Sequence, residues 1–185
     1  MIRALPMFTP IDWKESIAVN TCSNTNQQYK LLSPFVVSAP PAKRFENLWQ
    51  FSKVYKKHLC LTGLPTPEWY QWRDAGFADT KAHRYPMGKG AIPEYSFWYG
   101  QKLSYVEARK AIYIPEYIKN VGPTDSFHRL QETYQKCLID GKGLILLDYD
   151  GYDHRALGIT LADVVGNPNK IMGHSFVLMM MLGES

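Results

Sequence analysis

Phe45-Glu46-Asn47-Leu48-Trp49-Gln50-Phe51-Ser52-Lys53-Val54-Tyr55 is the stretch on which the reading of this chain turns. Glu46, Gln50 and Lys53 lie four and then three residues apart, so a helix sets an acid, an amide and an amine along one stripe. The neighbouring face carries Phe45, Leu48, Trp49 and Ser52, mostly large apolar groups able to press the helix onto a core and fix where the polar stripe points. The pattern predicts a helix over 45–59, with Gly63-Leu-Pro-Thr-Pro67 ending any continuation. A rigid platform for polar groups is what a site needs. The same spacing also suits a solvated surface helix with i, i+4 pairs.

Working outward, 185 residues at 45% hydrophobic and 14% aromatic suffice for one substantial core, so the chain reads as a single domain over 1–185. A net charge of +4 and a pI near 8.9 do not suggest a general nucleic-acid coat, and remain compatible with a phosphate-bearing ligand. Cys22, Cys60 and Cys137 are odd in number and without close pairing, which indicates neither a disulfide framework nor a zinc knuckle and makes a reducing, cytosolic setting the default. The first ten residues lack a secretory pattern. The longest apolar run, Phe176 to Leu182, is far below the roughly 20 residues a membrane helix requires, so no membrane partner is expected.

Ile17 to Cys22 reads as a strand and Ser23 to Gln28 as a loop; Leu31 to Val37 reads as extended, because Pro34 disfavours helix at Ser33. Further helices are predicted over 68–76, 104–114, 125–138, 160–165 and 172–182, the second opened by a capping box of Ser104 and Glu107. Leu144 to Leu147 is a buried strand delivering Asp148-Tyr-Asp-Gly-Tyr-Asp153 to its end. The fold class is therefore α+β, predominantly helical with a few short strands. Between Asp79 and Gly100 lies a long, glycine-rich, basic and aromatic connection, of a length often tied to function.

Three constellations carry chemistry. Asp148, Asp150, Asp153 and His154 could gather a cation, yet the calcium-loop pattern fails because Asp153 and Ile159 stand where glycine and glutamate are required, and turn-forming aspartates explain them better. Arg84 and Lys89 beside Gly88 and Gly90 offer cations and backbone N–H groups to a phosphate; a surface turn is the alternative. Tyr95, Phe97, Trp98 and Tyr99 could stack on a base or fill a core. His174 and the methionines Met179 to Met181 read as core or capping groups. No serine-hydrolase, paired-cysteine or dinucleotide motif is present, and no cofactor or metal is expected.

Leu32-Ser33-Pro34-Phe35 followed by the Glu46/Gln50/Lys53 helix resembles the opening signature of the NADAR family, N-glycosidases of NAD and ADP-ribose metabolism. In that family a Ser-Asn-Phe-like segment precedes a Val-Glu-His helix carrying Gln and Lys at these offsets. Asp148 to Tyr152 and Met172 to Val177 look like its late acidic segment and closing helix. The chain departs at Pro34, where the family has Asn, at Asn47, where it has His, and over 62–100.

The resemblance implies an N-glycosidase removing ADP-ribose from an ADP-ribosylated guanine, in a nucleotide or a nucleic acid. It places Glu46, Lys53 and Asp150 in catalysis, Asp150 orienting a hydroxyl or water. Ser33, Phe35, Trp49, Gln50, Arg84, Lys89, Trp98 and Asp148 would bind substrate, with Arg84 and Lys89 on the phosphates and Trp49 or Trp98 against the base. Two other classes fit the residues: a nucleotide or nucleic-acid binding module without chemistry, and a partner-binding inhibitor protein.

Overall fold

In the computed structural model, which describes residues 1–184, two small sheets and seven α-helices form one α+β domain. Ile2–Pro6 (β1) and Ser16–Asn20 (β2) flank Gly143–Asp148 (β6), and all pairings are parallel. The middle strand is the near-continuous apolar run expected of a strand covered on both faces, and Leu144 and Leu146 are wholly buried. Its C-terminal end delivers Asp148. β1 was not anticipated: it is an edge strand ending on a proline, and such a segment gives little pattern to read.

Phe45–Phe51 (α1) is shorter than expected. The chain leaves the helix at Ser52 and enters Lys53–Val54 (β3), which pairs antiparallel with Tyr95–Trp98 (β4), itself hairpinned to Gln101–Leu103 (β5). Ser52 donates its hydroxyl back to the Trp49 carbonyl, while Phe97 and Glu94 donate backbone N–H groups to the Ser52 and Val54 carbonyls, each at 2.8 Å. Cross-strand bonds to a segment some forty residues away outweigh local helix propensity. Cys60, expected at a helix end, lies instead in the turn after a short 3-10 segment at Lys56–His58. The β4–β5 turn uses Tyr99 and Gly100, both at positive φ, as a two-residue hairpin requires.

The expected extended run over 31–37 is also corrected. Gln27–Leu32 is a 3-10 helix; Ser33 alone is extended before Pro34, and the chain then turns, with Val36 and Val37 both donating to the Ser33 carbonyl.

Pro67–Ala78 (α2) packs on α1 closely enough that a Cβ at Gly76 would meet the Phe51 ring at 2.1 Å. Tyr105–Ala108 (α3), opened by the expected Ser104/Glu107 capping box, does not stop at Ile114. It passes through a π-turn, Arg109–Tyr113, into Ile114–Val121 (α4). Pro115 has no N–H for the helical ladder, and the wider turn absorbs the defect. Asp125–Ile139 (α5), Leu161–Gly166 (α6) and His174–Met181 (α7) complete the chain. α7 packs on β1 and β6 with Phe176 to Met179 buried; Met179 is core as expected, while Met180 and Met181 are half-buried against it. No helix among the described residues is long and apolar enough to cross a membrane.

Candidate active site

α1 has no solvent face: all seven of its residues are buried. Taking an acid out of water is costly unless it is partnered, and Glu46 is partnered along its own helix. The Gln50 amide N–H donates to Glu46 Oε1 at 2.8 Å, and its carbonyl accepts from Lys53 Nζ at 2.7 Å. The amide thus joins a carboxylate to an amine in one chain of hydrogen bonds. Lys53 reaches this position from β3, where its backbone is held by Ser96 opposite and by the Trp69 indole N–H on its carbonyl. Its ammonium lies 4.9 Å from the centre of the Trp49 ring.

Burial sets the protonation. Desolvation pushes the Glu46 carboxyl above its usual range, opposed by the Gln50 bond and the Lys53 charge. Desolvation lowers Lys53 from 10.5 to about 8, with Glu46 pulling the other way. An amine that titrates near neutrality is available in its nucleophilic form.

The three groups line a cavity of about 430 Å³, a size suited to a small ligand. Ser33, Phe35, Trp49, Arg84, Asp148 and Asp150 also line it, so nearly all the residues selected from sequence converge. Lys89 and Trp98 do not. Lys89 is exposed on the connection and absent from the cavity wall, although its neighbours Gly88 and Gly90 are on it. Trp98 sits on β4, packed against the core and the Tyr99 ring.

The acidic segment is divided among partners rather than gathered on a cation. Asp148 accepts from the Ser175 N–H at 3.1 Å and hydroxyl at 2.9 Å, which caps α7 from another strand, and faces His174 Nδ1 at 3.2 Å. The approach is close: a Cβ at Gly173 would meet Asp148 Oδ2 at 2.2 Å. Asp150 takes Arg84 on both oxygens, at 3.0 and 2.8 Å. Asp153 faces Arg3 at 3.5 Å, and His154 is buried against Phe176. Arg84, selected as a phosphate ligand, and Asp150, selected to orient a water, therefore neutralise each other and tie the 79–94 connection across the cavity. Asn47 anchors the base of this connection: its amide donates to the Asp79 and Lys81 carbonyls and accepts from the His83 N–H at 2.8 Å.

Cys22, Arg109, Tyr113 and His174 line the cavity too and were not selected. Burial, with Asp148 nearby, pushes the Cys22 thiol up to about 11, so it rests protonated and is no nucleophile. Cys22, Asp148 and His174 are the one group among the described residues with donor atoms close enough for a metal. His174 Nε2 contacts the Thr21 carbonyl at 2.9 Å, which requires Nε2–H, and leaves Nδ1 for Asp148. Asp148 is already engaged by Ser175 and by the Asp150 N–H, so the group is built as a cap on α7. Arg109 is buried without a carboxylate and donates to the carbonyls of Val164, Val165, Asn167 and Lys170, holding the segment that leads to α7. No motif marks these residues; only Gly173 before the helix start, by its need for a close approach, signals His174.

Set against protein-family models, curated proteins and solved structures, the chain matches none of them.

Proposed function

We propose that this protein is an N-glycosidase of the NADAR type, acting on the bond between a nucleobase and the ribose of an ADP-ribose group, with ADP-ribosylated guanine as substrate. The observation that carries the reading is the Glu46–Gln50–Lys53 chain, buried in the wall of a ligand-sized cavity. Cleaving an N-glycosidic bond builds positive charge on the anomeric carbon, and a carboxylate held beneath the ring stabilises it. Glu46 takes that role. A surface salt-bridge helix would not hold an acid and an amine out of water at the wall of a cavity.

Lys53 offers a second route. Its neutral amine attacks the anomeric carbon as the bond to the base breaks, the departing nitrogen takes a proton, and the ring opens to a protonated Schiff base that water then hydrolyses. Trp49 flanks the reacting centre as the aromatic surface for the base. Asp150 and Arg84 keep the connection across the cavity in place, which limits water access and shapes the entrance.

Replacing Glu46 by Gln keeps size and removes charge. Retained folding with guanine release undiminished would remove Glu46 from the reaction. Borohydride trapping of substrate on wild type, absent in Lys53→Ala, identifies the amine route; no adduct on either leaves the carboxylate route alone.

A further inference from the structure

Tyr113 and Tyr117 stand one turn apart with parallel rings, centroids 6.2 Å apart and planes within 2°, yet their hydroxyls have different fates. The Tyr117 hydroxyl donates to the Leu32 carbonyl inside the core. The Tyr113 hydroxyl has no hydrogen-bond partner among the described residues, although the residue is only 7% exposed. Its ring is gripped edge-on by Phe45 at 5.0 Å and Trp49 at 5.1 Å, and the residue lines the cavity. The hydroxyl is not sealed in the core, so it is free to bond a group that enters the cavity. The π-turn that ends on Tyr113 is a local deformation of a kind frequent at functional sites.

The chemistry of the neighbours defines the visitor. Glu46 is the charge that acts most strongly on Tyr113, and its Oε2 has no protein partner while Oε1 is taken by Gln50. Burial keeps the phenol protonated, hence a donor, on the cavity wall that also carries the Glu46 carboxylate. A hydroxyl can accept from the one and donate to the other through a single atom, whereas a phosphate oxygen only accepts and an ammonium only donates.

We propose that Tyr113 and Glu46 together bind a sugar hydroxyl adjacent to the anomeric carbon, so that the site takes ribose and discriminates against 2-deoxyribose. The assignment rests on the reading of Glu46 as the group beneath the sugar. Tyr113 is the donor that identifies the 2-hydroxyl, and the Tyr117 hydroxyl, tied to Leu32, is structural.

The test is calorimetric titration of the full chain with ADP-ribose and with the analogue lacking the 2-hydroxyl on the terminal ribose, using wild type, Tyr113→Phe and Tyr117→Phe. Wild type binds ADP-ribose more tightly than the analogue. Tyr113→Phe weakens ADP-ribose binding by about three- to tenfold, the scale of one hydrogen bond, and leaves the analogue unchanged. Tyr117→Phe lowers the melting temperature and keeps the wild-type sugar preference. Equal binding of the two sugars by wild type overturns the proposal whatever the variants do, as does a Tyr113→Phe that weakens both alike or neither. Guanine release by the same proteins separates the two readings: sugar discrimination without release leaves Tyr113 standing and removes the glycosidase, whereas release with a Tyr113→Phe that keeps the wild-type sugar preference does the reverse.

Discussion

α1 and the 79–94 connection both bring charged residues to one cavity, and they do it in opposite ways. Glu46 and Gln50, buried on the helix, and Lys53, half-buried at the start of β3, are bonded to one another, on a backbone fixed by Phe45, Leu48 and Phe51 in the core. The connection has no regular structure before β4, holds Lys89 in solvent, and keeps Arg84 at the cavity only by pairing it with Asp150. Burial makes charges expensive and therefore chemically unusual, as the shifted Glu46 and Lys53 attest. On the proposed reading, chemistry belongs to the helix and the strand after it, and enclosure to the connection.

The most severe way to break this contrast is to remove charge from the helix. Glu46→Gln should lower kcat for guanine release by about 10³-fold, the scale of a preorganised charge at a developing cation, with the thermal melt unchanged or raised. Lys53→Met should abolish any borohydride-trapped adduct and raise the melting temperature by about 2–4 °C, equivalent to about 1 kcal/mol for a chain of this size, because it removes a buried amine.

The pH dependence sharpens the same point. The folded Lys53 titrates near 8, below its ordinary 10.5, so the unfolded chain holds that proton more tightly. Stability relative to Lys53→Met should therefore rise between about pH 8 and 10.5, and the wild-type deficit should be fully present below pH 8. Adduct formation should climb as pH approaches 8 and level off above it, whereas a route using Glu46 alone levels off as the carboxyl ionises. Guanine release measured from pH 5 to 9, beside adduct yield, distinguishes these.

Effects in the connection should be smaller. Arg84 and Asp150 are partly exposed, so their pair contributes about 1 kcal/mol or less. Arg84→Ala or Asp150→Asn should raise KM by about fivefold with little change in kcat, and the double variant should match either single one, because each removes the same contact. Steady-state kinetics on the four proteins checks this. Lys89→Ala should leave both parameters within about twofold of wild type; a larger loss would put phosphate binding back on the exposed lysine.

What was legible in the sequence follows the same division. The offsets of Glu46, Gln50 and Lys53 are local, and local spacing survived even though the helix stopped at Phe51 and a strand delivered the lysine. Where the helix stops was not legible, because the competing bonds come from Glu94 and Phe97, far along the chain. Asp148 could be placed at a strand end from its apolar run, but its partners His174 and Ser175 could not, since the contact depends on a glycine-enabled approach between distant segments. Tyr113 escaped for a related reason: the helix was expected to end at Ile114, whereas the chain widened into a π-turn and continued. Arg84 and Asp150 were both selected and both lie at the cavity, but a sequence does not reveal that two selected residues satisfy each other.

The most direct test of the account is ADP-ribose release from an ADP-ribosylated guanine oligonucleotide by wild type and by Glu46→Gln at matched folding. The account predicts turnover by wild type and a loss of about 10³-fold in the variant. Equal rates in the two proteins, or no release by a folded wild type, would contradict it.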